Sequence, residues 1–237
     1  MEIKSIALNY GHTLSKTPGC GAVGIIDESV HTRKLGKRVK ELLELNGVKV
    51  YDATIDKAST SSAYLQQAVK KANAQKVDLA VSIHFNCFSN SEANGTETLI
   101  YSSTSKAKDL AARVNNKLVG VGFRNRGVKV YDTLYWLKNT TAPAILIETC
   151  FVSNKKDVDL YNNKFENVAK AIVEGILNKT IKTTTASSSA STNSTSIIYR
   201  VYEEEVRLGS YGVVENTLNE VKKLIAKGVK NIRLERV

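Results

Sequence analysis

The chain has 237 residues, 42% of them hydrophobic and 24% charged, which is enough for one packed core of about 150–200 residues and an accessory piece. Disorder is therefore excluded, as is a disulfide framework, since Cys20, Cys87 and Cys150 are few and odd in number and fit synthesis in a reducing compartment. A formal charge of +11 favours encounter with polyanions, and no run approaches the ~20 apolar residues that a transmembrane segment needs.

The chain opens as a strand-like run over residues 3–8, without the basic and then apolar pattern of a leader, so it carries no expected signal peptide. A helix follows in which Leu35, Val39, Leu42 and Leu43 share one face, with Lys34, Lys37, Arg38 and Lys40 off it. Further strands are expected over residues 48–52, 77–83, 96–101, 127–137 in two pieces, and 143–148. Helical stripes fall between or after them, through Leu65, Ala68, Val69 and Ala72, through Leu110, Val114 and Leu118, and through Phe165, Val168, Ile172 and Ile176. Strands alternating with helices predict an α/β fold, a mostly parallel twisted sheet flanked by helices.

This domain is expected over residues 1–180. Residues 181–196 then read as a Ser/Thr-rich linker, 11 of the 14 positions from Thr183 to Ser196 being Ser or Thr. Residues 197–237 read as a small strand-helix-strand module: two apolar runs around an acidic triplet, a helix through Leu218, Val221, Leu224 and Ile225, and a closing strand from Val229. A module this short struggles to bury enough surface alone, so it is expected to pair with a copy of itself, giving a homo-oligomer, or to dock on the larger domain. The excess charge is +8 over residues 1–179 and +2 over residues 197–237, so affinity for polyanions does not rest on the module alone.

The chemistry lies where polar residues end apolar runs. The first strand runs out into Asn9-Tyr10-Gly11-His12, the run from Val77 ends at His84, and the run from Ala144 ends at Glu148. In an open α/β sheet the ligand crevice lies beyond the carboxyl ends of the strands, where such endings converge. Glu28 falls on the core-facing stripe of its helix, and a carboxylate there needs a positive partner. A zinc ion would supply one, and two imidazoles, one carboxylate and an open position form a catalytic zinc set. Taken singly each residue has an ordinary reading: a loop histidine at 12, a core histidine at 84, a first-turn acid at 28, a paired strand-end acid at 148. His31, three residues after Glu28 on the same helix face, is the rival ligand. The cysteines near these positions are rival nucleophiles, weighed against burial as small core residues.

The segments Tyr10-Gly11-His12, Glu28 opening a helix, Ser82-Ile83-His84-Phe85-Asn86 and Ile147-Glu148-Thr149-Cys150-Phe151-Val152-Ser153-Asn154 resemble, in order and spacing, the type 3 zinc-dependent N-acetylmuramoyl-L-alanine amidases over roughly residues 2–179. The resemblance implies zinc (Zn2+) held by His12, Glu28 and His84, with Glu148 as the catalytic carboxylate that activates water against the amide joining N-acetylmuramic acid to L-alanine in peptidoglycan. Asn9 stands where the family usually has an acidic residue near the histidine. With the linker and module, the whole resembles a bacteriophage endolysin for Gram-positive walls, made in the host cytoplasm and acting on peptidoglycan and its anionic wall polymers, where the module would bind. Residues 199–228 faintly resemble half of a SPOR-type wall-binding domain. A bacterial autolysin and a non-enzymatic wall-binding protein are the alternatives. Specific nucleic-acid binding is not expected, because the chain has neither a recognition motif nor a basic stripe with interleaved aromatics.

Overall fold

The structure is a computed structural model, and it describes residues 2–183, 199–203, 206–211, 221, 224–225 and 232–236. Two compact units emerge, Met1–Thr184 and Thr185–Val237.

The larger unit is built on six strands, β1 (Ser5–Asn9), β2 (Lys49–Asp52), β3 (Leu79–Asn86), β4 (Thr96–Ile100), β5 (Asn125–Val130) and β6 (Ala144–Phe151). Their order in the sheet is β2-β1-β3-β6-β4-β5. Every neighbouring pair is parallel except β4 with β6, so the mostly parallel sheet expected from the alternation is borne out. The chain leaves β1 for β2 on one side and returns to β3 on the other, which puts the topological switch point of the sheet between β1 and β3.

Strand alternation sorts side chains by size. Ile6, Leu8, Val81, Ile83, Ile145 and Ile147 point into a large core with helices α1 (Glu28–Leu45), α3 (Lys108–Val121) and α6 (Phe165–Leu177). Ala7, Ala80, Ala144 and Leu146 point the other way, into a thinner layer under α2 (Ser61–Asn73) and α4 (Tyr135–Asn139). Small residues on that face let α2 lie close to the sheet. The same period of two sends Asn9, Ser82, His84 and Glu148 toward this second face, beyond the apolar part of it.

Helix α1 starts where the sequence allows a clean stop: the Asp27 side chain accepts from the Val30 N–H, satisfying a first-turn donor. Its stripe of Leu35, Val39, Leu42 and Leu43 is fully buried, as the spacing predicts.

Two local expectations need correction. The second piece of the 127–137 run is the short helix α4, not a strand, because Trp136 and Leu137 bury against the α2 side from a single helical turn. Short apolar runs do not distinguish the two states. Helix α5 (Lys155–Asn163) was not expected at all. Only Val158 and Tyr161 are buried apolar residues in it, too sparse a stripe to announce a helix, and the Asn154 side chain caps its start by accepting from the Asp157 N–H.

The smaller unit contributes β7 (Tyr199–Glu203), β8 (Val206–Tyr211) and β9 (Ile232–Arg236), an antiparallel sheet in the order β8-β7-β9. Its first two strands pair antiparallel, Glu203 at the end of β7 standing opposite Val206. The expected helix lies mostly outside the described residues, of which Val221, Leu224 and Ile225 are helical. No helix among the described residues is long and apolar enough to cross a membrane.

Candidate functional site

His12 follows β1, Glu28 opens α1, and His84 sits near the end of β3, so all three meet at the switch point. His12 Nε2 lies 3.0 Å from Glu28 Oε1, His84 Nδ1 lies 3.2 Å from the same oxygen, and the two ring nitrogens are 3.2 Å apart. Four-coordinate zinc with bonds of ~2.0–2.1 Å has ligand–ligand edges of ~3.3 Å. This triangle of one carboxylate oxygen and two imidazole nitrogens therefore fits a divalent metal ion, and it is a metal-binding candidate among the described residues.

Each donor is aimed by a partner behind it. His12 Nδ1 bonds the Gly19 carbonyl at 3.1 Å, leaving Nε2 for the site. His84 Nε2 lies 2.9 Å from the Ser82 hydroxyl, leaving Nδ1. The Glu28 carboxylate accepts the Phe85 N–H at 3.0 Å and the Ala22 N–H at 3.0 Å. Such partners fix the ring orientation and tautomer of a metal ligand. Asn9 does not take the place of an acid behind His12. It donates instead to Ser82 Oγ at 3.1 Å and to the Tyr64 hydroxyl at 3.2 Å, on the His84 side of the site.

The backbone here is conformationally costly. Gly11 and His12 both have positive φ, 48° and 60°, and for a non-glycine residue such as His12 that conformation costs about 1–2 kcal/mol. A Cβ on Gly11 would come within 2.4 Å of the Ile83 carbonyl oxygen, and one on Gly21 within 2.6 Å of Glu28 Oε2. Both positions are thus closed to any side chain by the triangle's residues or their strand.

Glu148 lies on β6 directly beside His84, the two being partners in the parallel register. Its Oε2 is shut off from solvent and has no hydrogen-bond partner among the described residues. Burial, reinforced by the negative charges of Glu28 and Glu97, holds its carboxyl well above the ordinary carboxylate range. Glu28 goes the other way. Burial alone would raise it, but hydrogen bonds and charge from His12 and His84 outweigh that and keep it ionised. Burial lowers His84, while the Glu28 hydrogen bond lifts His12 against its own burial.

The four side chains share a cleft of about 770 Å³ that continues under Tyr64, Leu99 and Trp136. Glu97 also lines it. This residue stands opposite Glu148 across the β4–β6 ladder, and its carboxylate accepts from Asn86 Nδ2 and Arg126 Nε, each at 2.9 Å. Nothing in the sequence reading pointed to Glu97, although an acid inside a buried strand is a signal.

His31 is not brought into the metal triangle. Its Nδ1 faces the Tyr161 hydroxyl at 3.3 Å, its ring packs edge-on against Phe85 and Tyr161, and burial lowers its pKa. The helix carries Glu28 and His31 on one side, but the second points to the core behind the site. Cys150 is fully buried with its thiol pushed up by burial, while Cys20 and Cys87 are exposed at the cleft. All four ring nitrogens of His12 and His84 have other partners, so neither histidine is paired with a thiol.

The family profile described as N-acetylmuramoyl-L-alanine amidase matches residues 6–178. An uncharacterized Clostridium perfringens protein is 38% identical over 181 residues, 75% of this chain and 52% of that protein. The amidase LytC of Bacillus subtilis is 32% identical over 70% of this chain and 35% of its own length, and the endolysin of Bacillus phage SPP1 is 31% identical over 73% and 65% respectively. This chain thus spans about half or less of several curated relatives. Among solved structures, the catalytic domain of the CD27L endolysin targeting Clostridia difficile superposes with a TM-score of 0.70 at 32% identity, over 76% of this chain and 99% of that one. That of the amidase CwlV from Bacillus (Paenibacillus) polymyxa gives 0.63 at 30%, over 74% and 97%. With a profile that covers most of the chain and relatives above 30% identity, this chain belongs to the N-acetylmuramoyl-L-alanine amidase family.

Proposed function

We propose that the protein hydrolyses the amide between the lactyl group of N-acetylmuramic acid and L-alanine in peptidoglycan, using zinc held by His12, Glu28 and His84 and Glu148 as the catalytic acid–base. The observation that carries this reading is the juxtaposition, in one cleft, of the three-donor triangle with a carboxylate that has no other task. When bound, zinc polarises the amide carbonyl and lowers the pKa of water toward ~7. The protein's own groups supply the rest. Glu148 accepts the proton of the attacking water and returns it to the alanine nitrogen, without which the amine is a poor leaving group. A raised proton affinity makes the ionised group a stronger base for the first transfer and holds the proton until the second, while the reaction starts only from the ionised form.

Glu28 is excluded from proton transfer by its hydrogen bonds to two backbone N–H groups and its imidazole neighbours, which favour the charged form. The apolar reach of the cleft under Tyr64, Leu99 and Trp136 offers surface for the aliphatic parts of the substrate. With a net charge of +11, the protein is drawn to anionic wall polymers in a salt-dependent manner. The smaller unit, tethered by a Ser/Thr-rich segment, raises the effective concentration at the wall, either alone or as a homo-oligomer.

A phage endolysin is the reading supported by similarity to the SPP1 and CD27L proteins. Similarity to LytC supports a bacterial autolysin carrying the same chemistry. The test is release of free amino groups from purified Gram-positive walls. Wild type should release them, zinc chelation should stop the release and added zinc restore it, and Glu148→Ala should be inactive. Full activity of Glu148→Ala would leave a wall-binding protein whose apparent hydrolysis comes from elsewhere. Lysis of intact Gram-positive cells by added protein distinguishes a lytic enzyme from one that only trims the wall.

A further inference from the structure

Three segments must be held together for the metal triangle to keep its dimensions. His84 is fixed by the sheet, but His12 hangs on a loop with two successive left-handed residues, and Glu28 sits in the first turn of α1. One side chain spans the gap. Arg33, with its side chain only 12% exposed, directs Nη1 to the carbonyls of Gly11 at 3.4 Å, Thr13 at 3.3 Å and Ser29 at 3.1 Å. Its Nη2 reaches the carbonyls of His12 at 3.1 Å and Ile55 at 3.3 Å, and the Asp56 carboxylate at 2.9 Å. Nε closes a second bond to that carboxylate at 3.0 Å.

We propose that Arg33 is the positioning residue of the metal site: its guanidinium gathers the carbonyls of Gly11, His12 and Thr13 onto the helix that carries Glu28, and so sets the separation of two of the three ligands. The inference rests on the metal-binding reading above. Left-handed backbone at Gly11 and His12 turns these carbonyls away from any strand partner, and a planar fork of five donors can collect them at once. Ser29, whose carbonyl Arg33 also takes, is the residue after Glu28, which ties the ligand loop to the ligand helix within one side chain. Asp56 anchors the far side of the fork, and the Asp56 carbonyl accepts the Leu14 N–H at 2.9 Å, so the same β2–α2 segment holds the end of the loop. Lysine, a point charge with three donors, cannot repeat the arrangement.

Zinc affinity of the full chain, measured by competition with a chelating indicator, tests this. Arg33→Ala and Arg33→Lys should bind zinc about 10–100-fold more weakly than wild type, the range found when groups supporting a metal ligand are removed. Asp56→Ala, at a residue whose side chain is 66% exposed, should show a smaller loss and carries the test together with Arg33→Lys should Arg33→Ala not fold. Ile172→Ala, in the core beneath α6, provides a variant of lowered thermal stability remote from the loop. Equal zinc affinity of wild type and the Arg33 variants would overturn the inference, as would an equal loss in Ile172→Ala. Failure of wild type itself to bind zinc would instead overturn the metal reading on which the inference stands.

Discussion

Glu28 and Glu148 line the same cleft, and the protein treats them in opposite ways. Glu28 is 4% exposed, accepts from two backbone N–H groups and lies beside two imidazoles. Glu148 has an oxygen closed off from solvent, no donor to it among the described residues, and two other carboxylates for company. The first is therefore built to stay charged and the second to hold a proton. Two carboxyl groups pushed apart in this manner support the proposed division of roles, a ligand on one side and an acid–base on the other.

Conservative removal of charge breaks that comparison most strongly on the Glu28 side. Glu28→Gln keeps the shape but removes the charge and replaces one acceptor oxygen by an NH2 donor that faces a backbone N–H. The variant should lose bound metal at chelator concentrations that leave wild type loaded, and with it essentially all activity, as metal analysis and amine release would report. Glu148→Gln should keep its metal and lose ~10²–10⁴-fold in kcat, the usual worth of a positioned acid–base group, with little change in KM. Loss of metal from Glu148→Gln, or its retention in Glu28→Gln, would mean the two roles have been exchanged.

The protonation of Glu148 sharpens the comparison further. A proton acceptor must be ionised to begin the reaction, so the acid limb of kcat/KM should lie at higher pH than an ordinary glutamate gives, less whatever a bound dication takes back. Stability carries the opposite sign. The folded-state pKa of Glu148 is raised above its unfolded value, so its contribution is fully present below the unfolded pKa and is lost as pH rises toward the folded one. Metal-free Glu148→Gln should therefore be more stable than metal-free wild type at neutral pH, by about 1–3 kcal/mol if the unpaired oxygen is the main penalty. Denaturant melts at neutral and acidic pH should show that advantage shrinking as the pH falls.

The sheet and its order of strands and helices were legible because large and small side chains alternate cleanly: Val81, Ile83 and Ile147 against Ala80, Ser82 and Glu148. The same alternation turns His84 and Glu148 to a common face, which is why strand endings were informative about chemistry. Glu28 was legible from its angular position on the Leu35 and Val39 stripe. What could not be read was the support behind the ligands, because much of it is backbone: the Gly19 carbonyl, the Ala22 and Phe85 N–H groups. Backbone donors carry no side-chain signature. Asn9 shows the limit from the other direction. It stands where the family usually has an acidic residue near the histidine, and the strand pleat directs it to Ser82, seventy-three residues away. Helix α5 and the helical form of Trp136 and Leu137 escaped for a simpler reason, since one or two buried side chains per turn fit either period.

Ser82→Ala probes the smallest of these effects, the aim of one ring. With Nδ1 of His84 turned to the other two donors, its ring proton resides on Nε2 and is donated to Ser82 Oγ at 2.9 Å. That oxygen also accepts from Asn9 Nδ2 at 3.1 Å, so two donors converge on it and hold it in place. Alanine removes the acceptor without adding volume, leaving the ring N–H without this partner and the Asn9 amide with the Tyr64 hydroxyl alone. Metal affinity should fall ~10-fold, the low end of the range for lost supporting groups, because Glu28 and the strand still hold the ring close to its position. Zinc competition on Ser82→Ala measures this directly, and Ser82→Thr, which keeps the hydroxyl, should recover most of the loss. Should threonine do no better than alanine, the ring is aimed by the sheet alone, and the His84 side of the cleft needs no hydrogen-bonded backing of the kind that surrounds Glu28.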